Sequence, residues 1–200
     1  MKKRFIGKIS AVLIFAVLCV SSCFTTSDAG TVPPLLRGNL IWNIESIYYY
    51  VHSSASAYLT PIADAAHNWV YTGHGWNNLY PNQRTTKIID SAIDIYAYAK
   101  SDGANGYTTF WARTNVTSGT AYQVSYNNNW LYNEIHLNNT YLNKKLNPYI
   151  QGVVAHEMGH CFGLNENNTN KYSIMCQTGY GRAVTTVQEV DQIAFNKKHP

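Results

Sequence analysis

The sequence predicts an α+β domain in which a mixed, twisted sheet is covered by helices. Helix-period apolar patterns occupy residues 61–71, 148–162 and 187–197. Short segments rich in β-branched and aromatic residues lie before the first helix and between the first and second helices. This order of elements is typical of α+β folds.

The composition limits the classes of function. Two hundred residues suit one domain with a targeting segment, and 46% hydrophobic residues exclude a disordered chain. Only 13% of residues are charged, and polarity comes from Asn, Ser, Thr and 16 tyrosines. Four basic residues and one acidic residue precede Gly30, so the rest of the chain has 11 basic and 10 acidic residues, a net charge of +1. With no Lys/Arg cluster in that part, we expect no nucleic-acid partner.

Residues 1–29 predict an export signal. A basic MKKR start is followed by an apolar stretch over residues 9–20. That stretch has the length of a signal-peptide core, whereas a membrane-spanning helix needs about 20 residues. Cleavage after Ala29 would give a secreted, extracellular protein. The lipobox-like residues 20–23 would instead lipidate Cys23 and anchor the protein to the bacterial cell membrane, and both alternatives remain open.

The cysteines fit export. Once the signal is removed, Cys161 and Cys176 remain as an even pair in an oxidising compartment. They predict either a disulfide or two buried free thiols. The disulfide would close a loop of about 15 residues and contribute on the order of 3 kcal/mol.

After the signal, residues 30–40 contain two adjacent prolines, which predicts a linker or an irregular lead-in to the domain. A single domain is therefore expected over residues 41–200. Its first element is a strand over residues 41–51, which are rich in β-branched and aromatic side chains.

A helix is expected next. Apolar residues recur at spacings of three and four over residues 55–71. Pro61 fits the first turn of a helix with Thr60 as its N-cap, so the helix is predicted over residues 61–71. The glycine- and asparagine-containing residues 73–83 predict a loop.

Three strands are expected in the middle of the chain. Alternating apolar and polar residues predict strands over residues 93–98 and 133–137, and aromatic and β-branched content predicts one over residues 107–113. In the last of these strands, Glu134 and His136 would share one face of the sheet.

Two further helices complete the prediction. Asn147 as N-cap and Pro148 at the first helical position start a helix that runs to about Phe162. Near the C-terminus, Thr186 and Glu189 form a capping box for a helix over residues 187–197.

The candidate chemistry lies in the stretch HEMGHCFGLNE. His156 and His160 are four residues apart, so on a helix both imidazoles lie on one face and can bind one metal ion. Glu157 lies between them, where a carboxylate can act on a metal-bound water. Gly163 is suited to ending the helix and reversing the chain, and Glu166 follows as a candidate third ligand. Three other histidines are expected to be surface or core residues: His67, His74 and His136.

Together with the segment Ser173-Ile174-Met175, this stretch resembles the metzincin clan of zinc endopeptidases. The clan pattern is H-E-x-x-H-x-x-G-x-x-H or -D, followed by a methionine turn. Residues 147–197 look most similar to secreted bacterial matrixin-like peptidases. The resemblance implies a metzincin-like zincin fold, with the second of the three helices carrying the active site.

The resemblance also implies a set of roles. One catalytic Zn²⁺ would be held by His156, His160 and Glu166, with Glu157 as general base and Met175 beneath the metal. The enzyme would hydrolyse peptide bonds as a monomer, through a zinc-bound water. By resemblance, the segment NEIHLNN would be an edge strand along which a protein or peptide substrate binds in extended form.

The chain departs from the clan pattern at Glu166, where His or Asp is expected. A glutamate is a competent ligand, because His₂Glu sets bind catalytic zinc. Gln177 stands where some members have a tyrosine, and no cysteine-switch segment is found, so a zymogen of that type is not implied. Tyr180 is a candidate for lining the pocket that takes the residue after the cut.

Two alternatives remain open. A gluzincin-type zinc peptidase would take its third ligand from a downstream helix, where Glu189 is the obvious candidate. A non-catalytic exported binding module with a vestigial zinc site would also fit a tyrosine-rich surface. The sequence gives no cleavage preference and no clustered Asp loop that would indicate calcium.

Overall fold

A six-stranded mixed sheet forms the centre of the computed structural model, which describes residues 30–115 and 119–200. The strands are β1 (Ile47–Val51), β2 (Pro81–Thr85), β3 (Ile93–Tyr98), β4 (Gly106–Arg113), β5 (Ala121–Val124) and β6 (Tyr132–Asn138). The helices are α1 (Leu59–Val70), α2 (Asn139–Leu142), α3 (Asn147–Cys161) and α4 (Glu189–Lys198). The predicted α+β class is confirmed.

The strand order in the sheet is β2-β1-β3-β6-β4-β5. The first four of these strands are parallel, whereas β4 runs antiparallel to both β6 and β5. Parallel neighbours need a crossover connection, and α1 provides it between β1 and β2.

The core lies between the sheet and the helices. Ile93 and Ile95 of β3 are fully buried. On the helical side, three aromatic rings from α1, the end of α3 and α4 pack on one another. Trp69 lies edge-on to Phe162 at 5.2 Å and 6.0 Å from Phe195 between ring centroids. The Trp69 indole also donates a hydrogen bond of 2.9 Å to the Ala155 carbonyl, which fixes α1 against α3.

Strand β2 was not expected, because its residues fall partly in the predicted loop over residues 73–83. Its sequence, PNQRT, has no apolar alternation. The strand lies at the edge of the sheet, where polar residues and a proline are tolerated. Backbone pairing to β1 therefore defines it.

The helix starts differ from the sequence predictions. Helix α1 begins at Leu59 and follows a 3₁₀ segment over Ser53–Tyr58, so Thr60 is not its N-cap. Helix α3 includes Asn147 as its first residue. The capping box of α4 is formed by Gln188 and Asp191, and not by Thr186 and Glu189.

The predicted edge-strand role of NEIHLNN is wrong, because β6 lies between β3 and β4. Strand β4 has the open side instead. Strand β5 pairs only with Phe110–Arg113, so in the described part of the chain residues 106–109 have a strand neighbour on one side only. Open backbone groups of this kind are where an added strand can pair.

Residues 30–40 pack on the domain and do not form a free linker. Leu35 forms a β-bridge with Leu164, and Leu36 N–H donates to the Gly163 carbonyl at 2.8 Å. From α4, the Lys198 ammonium donates to the carbonyl oxygens of Leu36 and Gly38 at 2.6 and 2.8 Å. This N-terminal segment therefore lies between α4 and the turn that follows α3.

The predicted signal, including Cys23, lies outside the described residues. Among the residues that the structure describes, none of the helices has the length and apolarity needed to span a bilayer.

Candidate metal centre

Helix α3 places two imidazoles side by side. The rings of His156 and His160 lie 4.8 Å apart between centroids and nearly perpendicular to each other. Each Nδ1 faces a backbone carbonyl at 2.9 Å, that of Ile174 for His156 and that of Leu164 for His160. A carbonyl only accepts hydrogen bonds, so Nδ1 carries the proton in both rings. The Nε2 lone pairs are therefore free to bind a metal ion.

The turn after α3 brings in the third donor. Gly163 adopts φ +87°, a left-handed conformation that glycine accepts at low cost. The chain then returns, so that Glu166 Oε1 lies 3.3 Å from His160 Nε2 and Glu166 Oε2 lies 3.6 Å from His156 Nε2. Glu189 is exposed at the start of α4 and is not part of this cluster.

The three side chains fit a metal ion. Their donor atoms lie within 4.8 Å of one another, and the described residues contain no other such group of three. Glu166 Oε2 is buried without a hydrogen-bond partner. A buried, unpaired carboxylate oxygen between two imidazoles is a costly arrangement that a divalent cation would stabilise. Two imidazoles and a carboxylate are a known donor set for Zn²⁺.

Electrostatics couple the side chains of the cluster, and without a metal ion the carboxylates favour the protonated form of His160. Burial alone would raise the pKa of Glu166, but the two imidazoles that face its carboxylate lower it to about 2. Burial alone would lower the pKa of His160, but the Glu166 and Glu157 carboxylates reverse the shift and raise it. The carboxylate is therefore ionised and available as a ligand at neutral pH.

Met175 lies beneath the helix that carries the histidines. It is fully buried, and a Cβ added to Gly159 would overlap its sulfur atom. Gly159 precedes His160, so the absence of a side chain there lets the thioether pack against the turn of α3 that carries the candidate ligands.

A buried carboxylate on α4 holds the methionine turn in place. Asp191 accepts hydrogen bonds from the Ser173 hydroxyl and, at 2.8 Å, from the Ile174 N–H. It also accepts from the Gln188 N–H at 2.9 Å. Because the Ile174 carbonyl orients His156, Asp191 supports that ligand through the turn.

Glu157 lies next to the cluster and borders the clefts on both sides of it. Its Oε2 accepts a 2.9 Å hydrogen bond from the Thr108 hydroxyl of β4. Its other oxygen, Oε1, has no hydrogen-bond partner among the described residues. One oxygen is thus fixed and the other is open to a small molecule in the cleft.

The two cysteines do not form a disulfide; both are buried free thiols. Cys161 on α3 is near Thr108, whereas Cys176 Sγ points towards the carbonyl oxygens of Gln177 and Tyr180. The side chains point to different parts of the structure, so the predicted alternative with a disulfide is wrong. Burial raises the pKa of both thiols.

The other histidines lie away from the cluster. His67 of α1 packs on Tyr71, which directly follows that helix, His74 is exposed, and His136 pairs with Glu134 on the sheet at 3.2 Å. Sequence reasoning missed two supporting residues, Thr108 and Asp191. Thr108 lies in a strand with no motif, but Asp191 could have been noticed as a charged residue among the apolar positions of α4.

Comparisons with known proteins add little. No protein-family model matches the chain, and no curated protein matches it. Among solved structures, it is similar to a chain of the GM1-bound form of the ECX AB5 holotoxin, with 14% identity and a TM-score of 0.44. That match covers 83% of this chain and 78% of the other. A likeness this distant supports no functional argument.

Proposed function

We propose that this chain is an exported zinc endopeptidase of the metzincin type. His156, His160 and Glu166 would hold the zinc ion, and Glu157 would be the general base. The main support is the convergence of two free Nε2 atoms and the half-buried Glu166 carboxylate. Beside them lies the Glu157 carboxylate, which accepts one side-chain hydrogen bond. This constellation opens to a cleft, as hydrolysis of a large substrate requires.

When bound there, zinc would supply Lewis acidity towards a substrate carbonyl and lower the pKa of a water molecule. The protein residues account for the proton transfers. Thr108 fixes one oxygen of Glu157, which leaves the other oriented to accept a proton from water. The same carboxyl group would then donate that proton to the departing amine.

The open side of β4 is the proposed binding edge for an extended substrate. The carbonyl oxygens of Asn105 and Trp111 accept hydrogen bonds from backbone N–H groups on the β6 side. Backbone groups point to alternate sides along a strand, so those of Gly106 and Thr108 point away from β6, towards the open edge. Both residues line the cleft beside Glu157. A peptide paired there by strand addition would lie along the metal centre. This replaces β6 as the expected binding edge.

The test compares the exported protein with its Glu157→Gln variant, both loaded with zinc. We expect the variant to keep one zinc ion per chain and to lose about 10²–10⁴-fold in peptide hydrolysis, which is the usual contribution of a general base. Chelation should abolish wild-type activity, and added zinc should restore it. Equal hydrolysis by variant and wild type would refute the assignment of Glu157.

The same experiment separates the proposal from a binding module. A wild-type protein that binds one zinc ion and hydrolyses no peptide would favour a non-catalytic exported module. Glu166→Ala and Glu189→Ala address the gluzincin alternative, since only loss of the true ligand lowers zinc affinity.

A further inference from the structure

One of the two clefts beside Glu157 contains an arginine with no acidic partner. The cleft has a volume of about 250 Å³ and lies between the start of β4 and the segment that follows Met175. Its charged or titratable lining groups are His156, Glu157 and Arg182, and Tyr180 lies at its rim as an exposed residue. Among the side chains that line this cleft, Arg182 is therefore the cationic one that does not belong to the candidate metal centre.

The guanidinium of Arg182 is held against α3. Nη1 donates to the Ile174 carbonyl at 3.3 Å. A Cβ added to Gly152 would lie 3.3 Å from Nη2, so the group packs over the helix one turn before His156. Arg182 is thus placed one helical turn from the first candidate ligand.

Arg182 carries more donors than the protein satisfies. A guanidinium has five N–H donors, and the single hydrogen bond to Ile174 uses one of them. None of the ion pairs among the described residues involves Arg182. Burial lowers the pKa of Arg182, outweighing the opposite effects of Tyr149 and Glu157. A half-buried charge without a partner is costly unless a ligand provides the partner.

Neighbouring polar groups do not provide that partner. Asn105 Nδ2 donates to the Tyr149 hydroxyl and to Thr178 Oγ1, both at 3.0 Å. Asn105 and Thr178 line the cleft, and these hydrogen bonds link them to each other and to Tyr149, with none to the guanidinium.

We propose that Arg182 binds a substrate carboxylate and so selects peptides with Asp or Glu at a position flanking the cleaved bond. This inference rests on the proposed peptidase function. A guanidinium matches a carboxylate with two parallel hydrogen bonds, which a neutral amide reproduces poorly. An apolar side chain in the cleft would leave the charge uncompensated. Arg182 is therefore a specificity-determining residue of the same site.

The test uses peptides acetylated and amidated at their ends, so that a side chain carries the only carboxylate. Peptide pools and product sequencing locate the cut, and kcat/KM is then compared for matched peptides with Glu or Gln at each flanking position. We expect the wild type to prefer Glu over Gln at one of them by at least tenfold, which corresponds to about 1.4 kcal/mol. A further arm with free C-termini shows whether a terminal carboxylate satisfies the same guanidinium.

Variants of Arg182 then assign the preference. Arg182→Gln should reduce the Glu/Gln ratio to about one, and Arg182→Glu should favour Lys over Glu. Arg182→Lys keeps the charge without the planar fork and should retain a weaker preference for Glu. Arg113→Gln, on the other face of the sheet, is the matched control and should leave the ratio unchanged. Zinc content and the thermal midpoint check the folding of each variant.

The outcomes are distinguishable. Hydrolysis without a Glu preference, or a preference that survives in Arg182→Gln, would overturn this inference and leave the proposed function intact. Absence of any hydrolysis by the zinc-loaded wild type would overturn both. If Arg182→Gln does not fold, an Arg182→Lys variant that keeps the full preference for Glu would contradict recognition by the guanidinium fork.

Discussion

Replacing Asp191 by alanine should both destabilise the protein and lower the zinc affinity of the candidate metal centre. The side chain is fully buried and accepts hydrogen bonds from the Ser173 hydroxyl and from the N–H groups of Ile174 and Gln188. Alanine removes the acceptor and leaves all three donors in place. The substitution therefore tests whether α4 holds the methionine turn.

The expected magnitude follows from the orphaned donors. The Ser173 hydroxyl can rotate to another acceptor, whereas the two backbone N–H groups cannot. A buried, unsatisfied donor costs about 1–3 kcal/mol, so Asp191→Ala should lower the free energy of unfolding by about 2–6 kcal/mol. Asp191→Asn keeps one oxygen for both N–H groups, and its amide can donate to Ser173, so it should cost about 1 kcal/mol.

The assay is equilibrium unfolding in urea with a chelator present, so that metal binding does not contribute to stability. A lower midpoint with an unchanged m value would report lost stability alone. Zinc affinity is measured separately. It should fall about 10–100-fold in Asp191→Ala, because the turn that orients His156 is a supporting contact of a ligand.

Two results would refute this reasoning. One is an Asp191→Ala protein whose stability is within about 0.5 kcal/mol of the wild type, the range of an ordinary surface substitution. The other is Asp191→Asn being as damaging as Asp191→Ala, which would show that the charge matters and the hydrogen-bond pattern does not.

Three further predictions follow from other buried groups. Burial raises the pKa of Asp94 from 3.8 to about 7, although the hydrogen bond from Ser91 acts in the opposite direction. The contribution of Asp94 to folding stability is therefore full below about pH 4 and is lost as the pH rises through 7. Asp94→Asn should therefore gain stability over the wild type between pH 4 and pH 8, by up to about 4 kcal/mol in urea unfolding, and a pH-independent difference would contradict this. Gly159→Ala would push a methyl group into Met175 and should cost about 1–3 kcal/mol with reduced zinc content, whereas unchanged zinc binding and thermal midpoint would argue against that packing. Glu166→Ala should lose zinc in metal analysis after dialysis and Glu189→Ala should keep it, and the reverse result would support the gluzincin ligand set.

The sequence predicted best the elements whose own side chains define them. Strand β3 and helix α3 carry strong apolar patterns, and the structure places both within a residue or two of the expected bounds. Strand β2 was missed, because backbone pairing with β1 stabilises it and no alternation of its own marks it. A strand that is held by pairing with a distant segment leaves no periodic pattern in its own sequence, so sequence analysis misses it.

The candidate site shows the same division. The four-residue spacing of His156 and His160 and the turn at Gly163 are local features, and they bring Glu166 to the two imidazoles. The supporting contacts come from other elements, from β4 for Glu157 and from α4 for the methionine turn. The sequence could not choose between a disulfide and two buried free thiols for the same reason, since the directions of the two thiols depend on packing that no sequence spacing reports.

The turn that carries Glu166 is held from both ends of the described chain. The N-terminal segment, residues 30–40, pairs with it, and Lys198 of α4 fixes that segment in turn. These contacts join parts of the chain that are far apart in sequence, so their formation carries the entropic cost of closing long loops. A partly synthesised chain that lacks α4 cannot form the Lys198 contacts that fix residues 30–40 beside the turn with Glu166. Under the proposed function, the hydrolytic centre would be complete only once α4 has been synthesised.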